Sequence, residues 1–261
     1  MNLNDFFIYI IIYMTKVTVL LPVYNNKEDV LNAIQSVIDQ TFTDWELIII
    51  DDASTDGTWD VLNDFFNKTP YKSKIVLLRN EKNSGVYVSL NEGLLKAKGE
   101  YIARVDSDDR LDKRMLAINV NILDRSPGIV VCQSYAKREN DQKRYGEVTM
   151  VYRKSIIKDI GYYDSVRFGA DAEFFGRVSR YYSYLRMAKH PEILYYAKRR
   201  PNSLTTSPKT GLHCKSENGK LIRFEYEANF RAWFRKVGKP YMPYPLLERP
   251  FPVNDIMKPN S

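Results

Sequence analysis

The chain has 261 residues, of which 44% are hydrophobic and 27% are charged, a composition typical of globular domains. Its 39 basic and 32 acidic residues leave a net charge of +7. The basic residues are scattered rather than interleaved with aromatics, so nucleic acid is not an expected partner. Two histidines and two cysteines argue against a histidine-rich zinc site, a histidine-based triad and a disulfide framework.

The first residues form an apolar run from Phe6 to Met14. Thr15 and Lys16 end this run well short of the ~20 residues that a membrane-spanning helix requires. The run also lacks the basic start and the small-residue cleavage site of a secretory signal. We therefore expect residues 1–15 to be an N-terminal extension of a cytoplasmic protein. A weak contact with a membrane surface is the alternative, which would make the protein peripheral.

Apolar runs alternate with amphipathic stretches from residue 17 onward. The runs are continuous, as in strands that are buried on both faces, and the stretches between them have helical spacing. This alternation predicts right-handed βαβ units and a mainly parallel sheet flanked by helices. Asn26 is expected to cap the first helix. The predicted strands are 17–24, 45–52, 74–80 and 99–106, and the predicted helices begin near Lys27, Thr58 and Val86.

The second half of the chain is less regular but contains further predicted elements. Strands are expected at 129–137, 145–153 and 192–200, and a helix is expected at 171–182 with Phe174, Phe175 and Val178 facing inward. A last helix, from about 216 to 237, precedes a proline-rich tail. Its apolar stripe predicts packing against the core; the stripe consists of Tyr226, Phe230, Trp233, Phe234 and Val237.

Polar side chains follow three of the predicted parallel strands. Tyr24 comes after the first strand, Asp51 and Asp52 end the second, and Asp106 and Asp108 end the fourth. In parallel sheets, ligands bind beyond the carboxyl ends of the strands. The sequence therefore predicts one crevice at which three strand ends converge.

The stretch "RVDSDD" has the chemistry of a site for a hard cation. Asp106 and Asp108 offer oxygen ligands, which Mg²⁺ and Mn²⁺ prefer and commonly share with substrate phosphates. The alternative is a stabilised turn, with Asp109 and Asp112 capping a helix that begins near Lys113. Neither GxxxxGK[ST] nor GxGxxG follows the first strand, which argues against P-loop and dinucleotide-binding chemistry.

Two quoted stretches carry a resemblance to a known family: "VTVLLPVYNNKEDVLNAIQSVIDQTFTDWELIIIDDASTDGT" and "NSGVYVSLNEGLLKAKGEYIARVDSDD". Over about residues 16–116 the chain resembles family 2 of the nucleotide-sugar glycosyltransferases, and a weaker likeness continues to about residue 207. The resemblance implies an α/β protein of the GT-A type, with a Rossmann-like, mixed, mainly parallel sheet and a C-terminal helical extension. It divides the chain into an extension (1–15), a glycosyltransferase domain (16–213) and a C-terminal helix and tail (214–261).

The resemblance also implies how a donor nucleotide binds. Tyr24 would stack on the base, with the backbone at Pro22 alongside. Asp52 would accept a hydrogen bond from the base, with Asp51 close by. The alternatives for these positions are a rim aromatic for Tyr24 and a capped turn for the two acids.

The implied metal is Mn²⁺ or Mg²⁺, bound by Asp108 together with Asp106, which would also meet the ribose or the phosphates. Arg199 and Arg200 are candidates for contacting the diphosphate, beside the loop "PNSLTTSP". A solvated basic turn is the alternative for these two arginines.

The same resemblance places the catalytic base at the start of a later helix, usually as a Glu-Asp pair. Here Ala170 stands at the Glu position and Asp171 at the Asp position of "GADAEFF". Asp171 is therefore the expected base, and Glu173, on the same helical turn, is the fallback. The missing Glu puts the handling of the acceptor in question more than the binding of the donor.

These implications predict a metal-dependent, inverting, non-processive glycosyltransferase. It would move one sugar from a nucleotide-sugar, of the UDP type, to a hydroxyl of a glycan, lipid-linked or protein acceptor. Two alternatives remain open at this point. One is a sugar nucleotidyltransferase, which usually has a glycine-rich basic loop that "PVYNNKED" lacks. The other is a degenerate protein that binds nucleotide or glycan without catalysis, and Ala170 at the usual Glu position favours this alternative.

Overall fold

The computed structural model describes residues 15–138, 143–198 and 217–259, so nearly all of the expected N-terminal extension lies outside the described residues. The strands are β1 Val17–Val23, β2 Trp45–Asp51, β3 Ile75–Arg79, β4 Tyr101–Arg104, β5 Arg110–Leu111, β6 Val131–Arg138, β7 Arg144–Tyr145, β8 Val151–Arg153 and β9 Met187–Ala197. The helices are α1 Val30–Ile38, α2 Thr58–Lys68, α3 Val86–Lys96, α4 Met115–Arg125, α5 Ile157–Ile160, α6 Ala170–Tyr182 and α7 Glu217–Val237.

All nine described strands belong to one mixed sheet. Its strand order is β3-β2-β1-β4-β8-β6-β9-β5, and β7 pairs with β6. The first four strands in this order are parallel to one another, and β8 is antiparallel to both β4 and β6. The prediction of a mixed, mainly parallel sheet flanked by helices is confirmed.

The register of β1 and β2 brings their carboxyl ends to one edge of the sheet. Every residue of both strands is buried, as their continuous apolar sequences predict. The pairing begins at Val17 with Trp45 and ends at Val23 with Asp51. Asp51 and the residues after Val23 therefore lie next to each other at the same edge.

Helices cover both faces of the sheet. One core contains apolar side chains of α3, α6 and α7, and the other contains those of α1 and α4. On the first face α3 lies very close to the sheet, because a Cβ at Gly93 would come within 2.8 Å of Leu20 Cδ2. Only glycine permits this approach of helix to strand.

The last described helix packs against α6, as the apolar stripe predicted. Four of the five stripe residues are buried, but Val237, the last residue of the helix, is exposed. Contact with α6 is close at Gly176, where a Cβ would lie 2.7 Å from Phe234 Cε2. The segment after α7 is bound to the rest of the fold by a hydrogen bond of 3.1 Å from Met242 N to Ile160 O. Among the described helices, none combines the length and the apolar character needed to cross a bilayer.

The structure corrects two expectations about local structure. Asn26 does not cap α1, which begins only at Val30, because the Asn26 backbone and side chain donate to Thr58 and Ser107 instead. The strand expected at 145–153 is divided into β7 and β8 by a 3-10 turn at Glu147–Thr149. In both places a tertiary hydrogen bond, including that from Thr149 Oγ1 to Ser134 O, replaces the regular local pattern.

Candidate active site

Side-chain hydrogen bonds join the three strand ends that the sequence predicted to converge. Asn25 N, after β1, donates to Ser54 Oγ, after β2, at 2.9 Å. Asn26 Nδ2 donates to Ser107 Oγ, after β4, at 3.0 Å. Asn25 has φ 48°, a left-handed conformation that asparagine tolerates better than most residues. The three strand ends therefore adjoin one another, and Tyr24, directly after β1, is 44% exposed.

Asp52 holds the loop that leads into α3. Its carboxylate accepts hydrogen bonds from Asn80 Nδ2 at 2.8 Å, from Ser84 N at 2.9 Å and from Gly85 N at 2.7 Å. A carboxylate has about four lone-pair sites. Asp52, which is 3% exposed, therefore has about one lone-pair site left.

Asp51 is buried at the end of β2. Arg79 Nε lies 3.2 Å from its Oδ2, while Oδ1 is buried and accepts no hydrogen bond from the described residues. Burial raises the pKa of Asp51 above its ordinary value, although Ser54 and Arg79 oppose the shift. Such an unsatisfied buried oxygen is costly in a folded protein. Pro22, which pairs with Ile50 in the neighbouring strand, is also buried.

The acids after β4 are packed together. Asp109 is buried and accepts from Tyr195 Oη at 2.7 Å and from Lys198 N at 2.8 Å, so it does not cap a helix. Burial, followed by the charges of Asp106 and Asp108, raises the pKa of Asp109 to about 8. Three carboxylates thus lie within electrostatic reach of one another at the end of β4.

This crowding fits a divalent cation, which would relieve the repulsion between the carboxylates. Asp106 is 32% exposed in its side chain, so it is open to a ligand. No group of three or more His, Cys, Asp or Glu side chains placed to hold a metal occurs in the described ranges. Mg²⁺ is commonly bound by one or two carboxylates, and substrate phosphates supply further ligands.

Asp171 is held by two buried donors at the start of α6. Tyr87 Oη donates to Asp171 Oδ2 at 2.8 Å, and Arg104 Nη1 donates to Asp171 Oδ1 at 2.8 Å. Burial and the Asp171 charge raise the pKa of Tyr87 far above its ordinary value, so the phenol stays protonated and donates. The Asp171 side chain is 31% exposed, which leaves lone pairs for an incoming hydroxyl.

Arg104 joins the acids after β4 to the acid of α6. Its Nε lies 2.6 Å from Asp106 Oδ1, and its Nη1 contacts Asp171. A single guanidinium, almost fully buried, therefore bridges two candidate site residues that are 65 positions apart in the sequence. Sequence reasoning missed both Arg104 and Tyr87. The available signal was a lone arginine at the end of the otherwise apolar strand β4.

The structure argues against the fallback base. Glu173 is fully buried and forms an ion pair with Arg177, with contacts of 2.6 and 2.8 Å. An acceptor hydroxyl cannot reach this carboxylate while it is paired in the core. Ala170, at the position of the missing Glu, is also fully buried. Arg199 and Arg200 lie outside the described residues.

The family model "Glycosyl transferase family 2" matches residues 18–226 of the chain. The chain belongs to glycosyl transferase family 2. One relative is the "UDP-Glc:alpha-D-GlcNAc-diphosphoundecaprenol beta-1,3-glucosyltransferase WfaP" of Escherichia coli, 38% identical over 37% of this chain and 36% of WfaP. The chain spans less than half the length of the curated relatives it matches.

Solved structures show the same fold as this family 2 chain. TarS 1–349 of S. aureus, in complex with UDP, superposes with a TM-score of 0.60 at 22% identity. The superposition covers 85% of this chain and 74% of the TarS chain. The mannosyltransferase PcManGT of Pyrobaculum calidifontis, solved with GDP-Man and Mn²⁺, superposes with a TM-score of 0.58 at 18% identity. This superposition covers 70% of this chain and 56% of the PcManGT chain. The expected GT-A-type fold is confirmed.

Proposed function

We propose that this family 2 chain transfers one sugar from a UDP-sugar to an acceptor hydroxyl, with inversion and with Mn²⁺ or Mg²⁺. The bridge from Asp106 through Arg104 to Asp171 carries this proposal. It holds a donor-side carboxylate and a candidate base at the two ends of one guanidinium. A nucleotide diphosphate at the strand ends would then lie next to a hydroxyl at Asp171.

Each end of this bridge has a distinct part in the reaction. Asp171 takes the proton of the acceptor hydroxyl while the hydroxyl oxygen attacks the anomeric carbon. The nucleoside diphosphate leaves from the opposite face of the sugar, which inverts the configuration. Tyr87 and Arg104 hold the Asp171 carboxylate, so that little reorientation is needed during the attack.

The donor occupies the crevice at the strand ends. Tyr24, at the rim, stacks on the base, and the remaining acceptor site of Asp52 meets a base N–H, beside Asp51 and Pro22. Asp106 and Asp108 would hold the cation, which supplies charge neutralisation for the diphosphate. The name of WfaP, a UDP-Glc transferase to a diphosphoundecaprenol-linked sugar, supports a UDP donor and a lipid-linked glycan acceptor.

Calorimetry and product release test the proposal together. The chain should bind UDP in the presence of Mn²⁺ and release UDP from one member of a UDP-sugar panel when an acceptor is supplied. Asp108→Asn should weaken the Mn²⁺-dependent binding by more than tenfold, whereas Asp112→Asn, a nearby acid at the start of α4, should not.

Three results would change this proposal. UDP binding that is unaffected by Mn²⁺ and by Asp108→Asn removes the metal assignment. Pyrophosphate release from a nucleoside triphosphate and a sugar phosphate indicates nucleotidyl transfer. Binding of UDP without turnover on any donor or acceptor indicates a non-catalytic protein.

A further inference from the structure

A surface away from the strand ends combines exposed apolar side chains with basic ones. It consists of residues 180–186, at the end of α6 and in the 3-10 turn that follows, and residues 235–241, at and beyond the end of α7. We call these two segments the basic–apolar face.

The two segments form one continuous surface. Arg180 Nε donates to Gly238 O at 2.8 Å, which ties the end of α6 to the residue after α7. The ammonium of Lys239 lies 4.7 Å from the centre of the Tyr181 ring. These contacts hold the end of α6 beside residues 238 and 239, and the turn at 184–186 follows α6 directly.

Four apolar side chains project from this face into solvent. Leu185 is 89% exposed and Tyr184 is 66% exposed, and Val237 and Tyr241 are also exposed. Single exposed apolar residues are common on protein surfaces. Four of them on two segments that contact each other favour an interaction site.

The charge on the same segments has one sign. Residues 180–186 and 235–241 contain no Asp or Glu. Asp159 borders the face, but its carboxylate accepts hydrogen bonds from the hydroxyls of Tyr181 and Tyr182. The basic residues of the face, all exposed, are Arg180, Arg186, Arg235, Lys236 and Lys239.

We propose that the basic–apolar face docks on an anionic lipid surface. Leucine and tyrosine enter the boundary between headgroups and acyl chains, while arginine and lysine stay at the level of the phosphates. A protein partner would need acidic groups of defined geometry, whereas an anionic bilayer satisfies scattered cations at any position. Charge complementarity together with protruding apolar tips therefore favours the bilayer.

Docking at this face leaves the candidate active site open. Asp171 is at the start of α6, and the face is at the other end of this 13-residue helix, roughly 20 Å away at 1.5 Å per residue. The inference is therefore independent of the proposed transferase reaction. It also places membrane contact on residues other than the N-terminal segment from which the sequence suggested it.

Vesicle co-sedimentation of the full chain tests the proposal. Binding should occur to vesicles of phosphatidylcholine with phosphatidylglycerol but not to phosphatidylcholine alone, and added salt should weaken it. Arg235→Glu with Lys236→Glu should reduce binding at least about 25-fold, since each basic residue near an anionic surface contributes about fivefold. Tyr184→Ser with Leu185→Ser should also reduce it. Leu247→Ser, which changes a leucine that is 94% exposed outside the face, should not.

Several results would overturn the proposal. The chain could fail to bind anionic vesicles, or the face variants could bind as well as the wild type, which would assign any binding to other residues. Sedimentation could also show a dimer that dissociates in the Leu185 variant, in which case a second copy covers the face. Thermal unfolding of each variant identifies any that are misfolded. The charge variant, which alters only exposed side chains, decides the question if the apolar variant does not fold.

Discussion

Removing one hydroxyl at Tyr87 tests whether the two buried donors orient Asp171 for catalysis. Tyr87→Phe keeps the ring, which packs beside Tyr163 at 5.7 Å between ring centroids. It deletes the hydrogen bond of 2.8 Å to Asp171 Oδ2 and the longer one, 3.3 Å, that the hydroxyl accepts from Asp171 N. The second donor, Arg104, remains in place, so the Asp171 carboxylate keeps one of its two side-chain hydrogen bonds.

The expected loss can be worked out from this contact. A hydrogen bond to a charged group contributes about 1.5–3 kcal/mol, and each ~1.4 kcal/mol in a barrier is tenfold in rate. Because the Asp171 side chain is 31% exposed, water can replace the lost donor. We therefore expect kcat to fall about tenfold, near the lower limit, while the KM for the donor and the affinity for UDP stay unchanged.

Release of UDP from the donor identified by the panel, measured over a range of acceptor concentrations, gives kcat and both KM values. Tyr101→Phe is the matched control, because the buried Tyr101 donates to Asp124 Oδ1 at 2.5 Å from the far end of β4. This control should lose similar thermal stability without losing kcat. A double-mutant cycle with Asp171→Asn separates positioning from general stability.

The cycle also supplies the result that would refute the reasoning. If Tyr87 acts only by orienting Asp171, then Tyr87→Phe should have almost no further effect once Asp171→Asn has removed the base. Additive losses in the double variant would show that the hydroxyl supports the fold instead. A kcat loss in Tyr101→Phe equal to that in Tyr87→Phe would lead to the same conclusion.

Two further predictions concern buried acids. The pKa of Asp109 rises from 3.8 to about 8 on folding, so in the absence of divalent cations the folded wild type binds a proton that the unfolded chain has lost. Its unfolding free energy should therefore fall as pH rises from 4 towards 8. In Asp109→Asn this dependence of stability on pH should flatten. Urea titrations across this range measure it, and a wild-type stability that does not fall contradicts the assignment. Glu173→Gln should cost about 3–5 kcal/mol of stability, because it leaves the buried Arg177 charge without its partner; unchanged thermal unfolding would contradict the burial.

Local patterns in the sequence were sufficient to predict most of the elements. The helix α3 begins at Val86, where the sequence predicts it to begin, because its apolar positions have helical spacing and the preceding residues do not. The convergence of strand ends at Asn26 and Ser107 followed from a general property of parallel sheets. The predictions failed where a distant partner decided the local structure, as at Asn26 itself.

The sequence alone determined that acids stand at the end of β4 and at the start of α6, since residue order and periodicity are sufficient for that. Only the tertiary structure decided which acids face the crevice. Asp171 and Glu173 lie on the same helical turn, yet two residues correspond to about 200° around a helix axis. One carboxylate therefore meets Arg104 at the crevice, and the other is paired with Arg177 in the core. The docking of α6 on the sheet sets this rotation, and no local pattern encodes it.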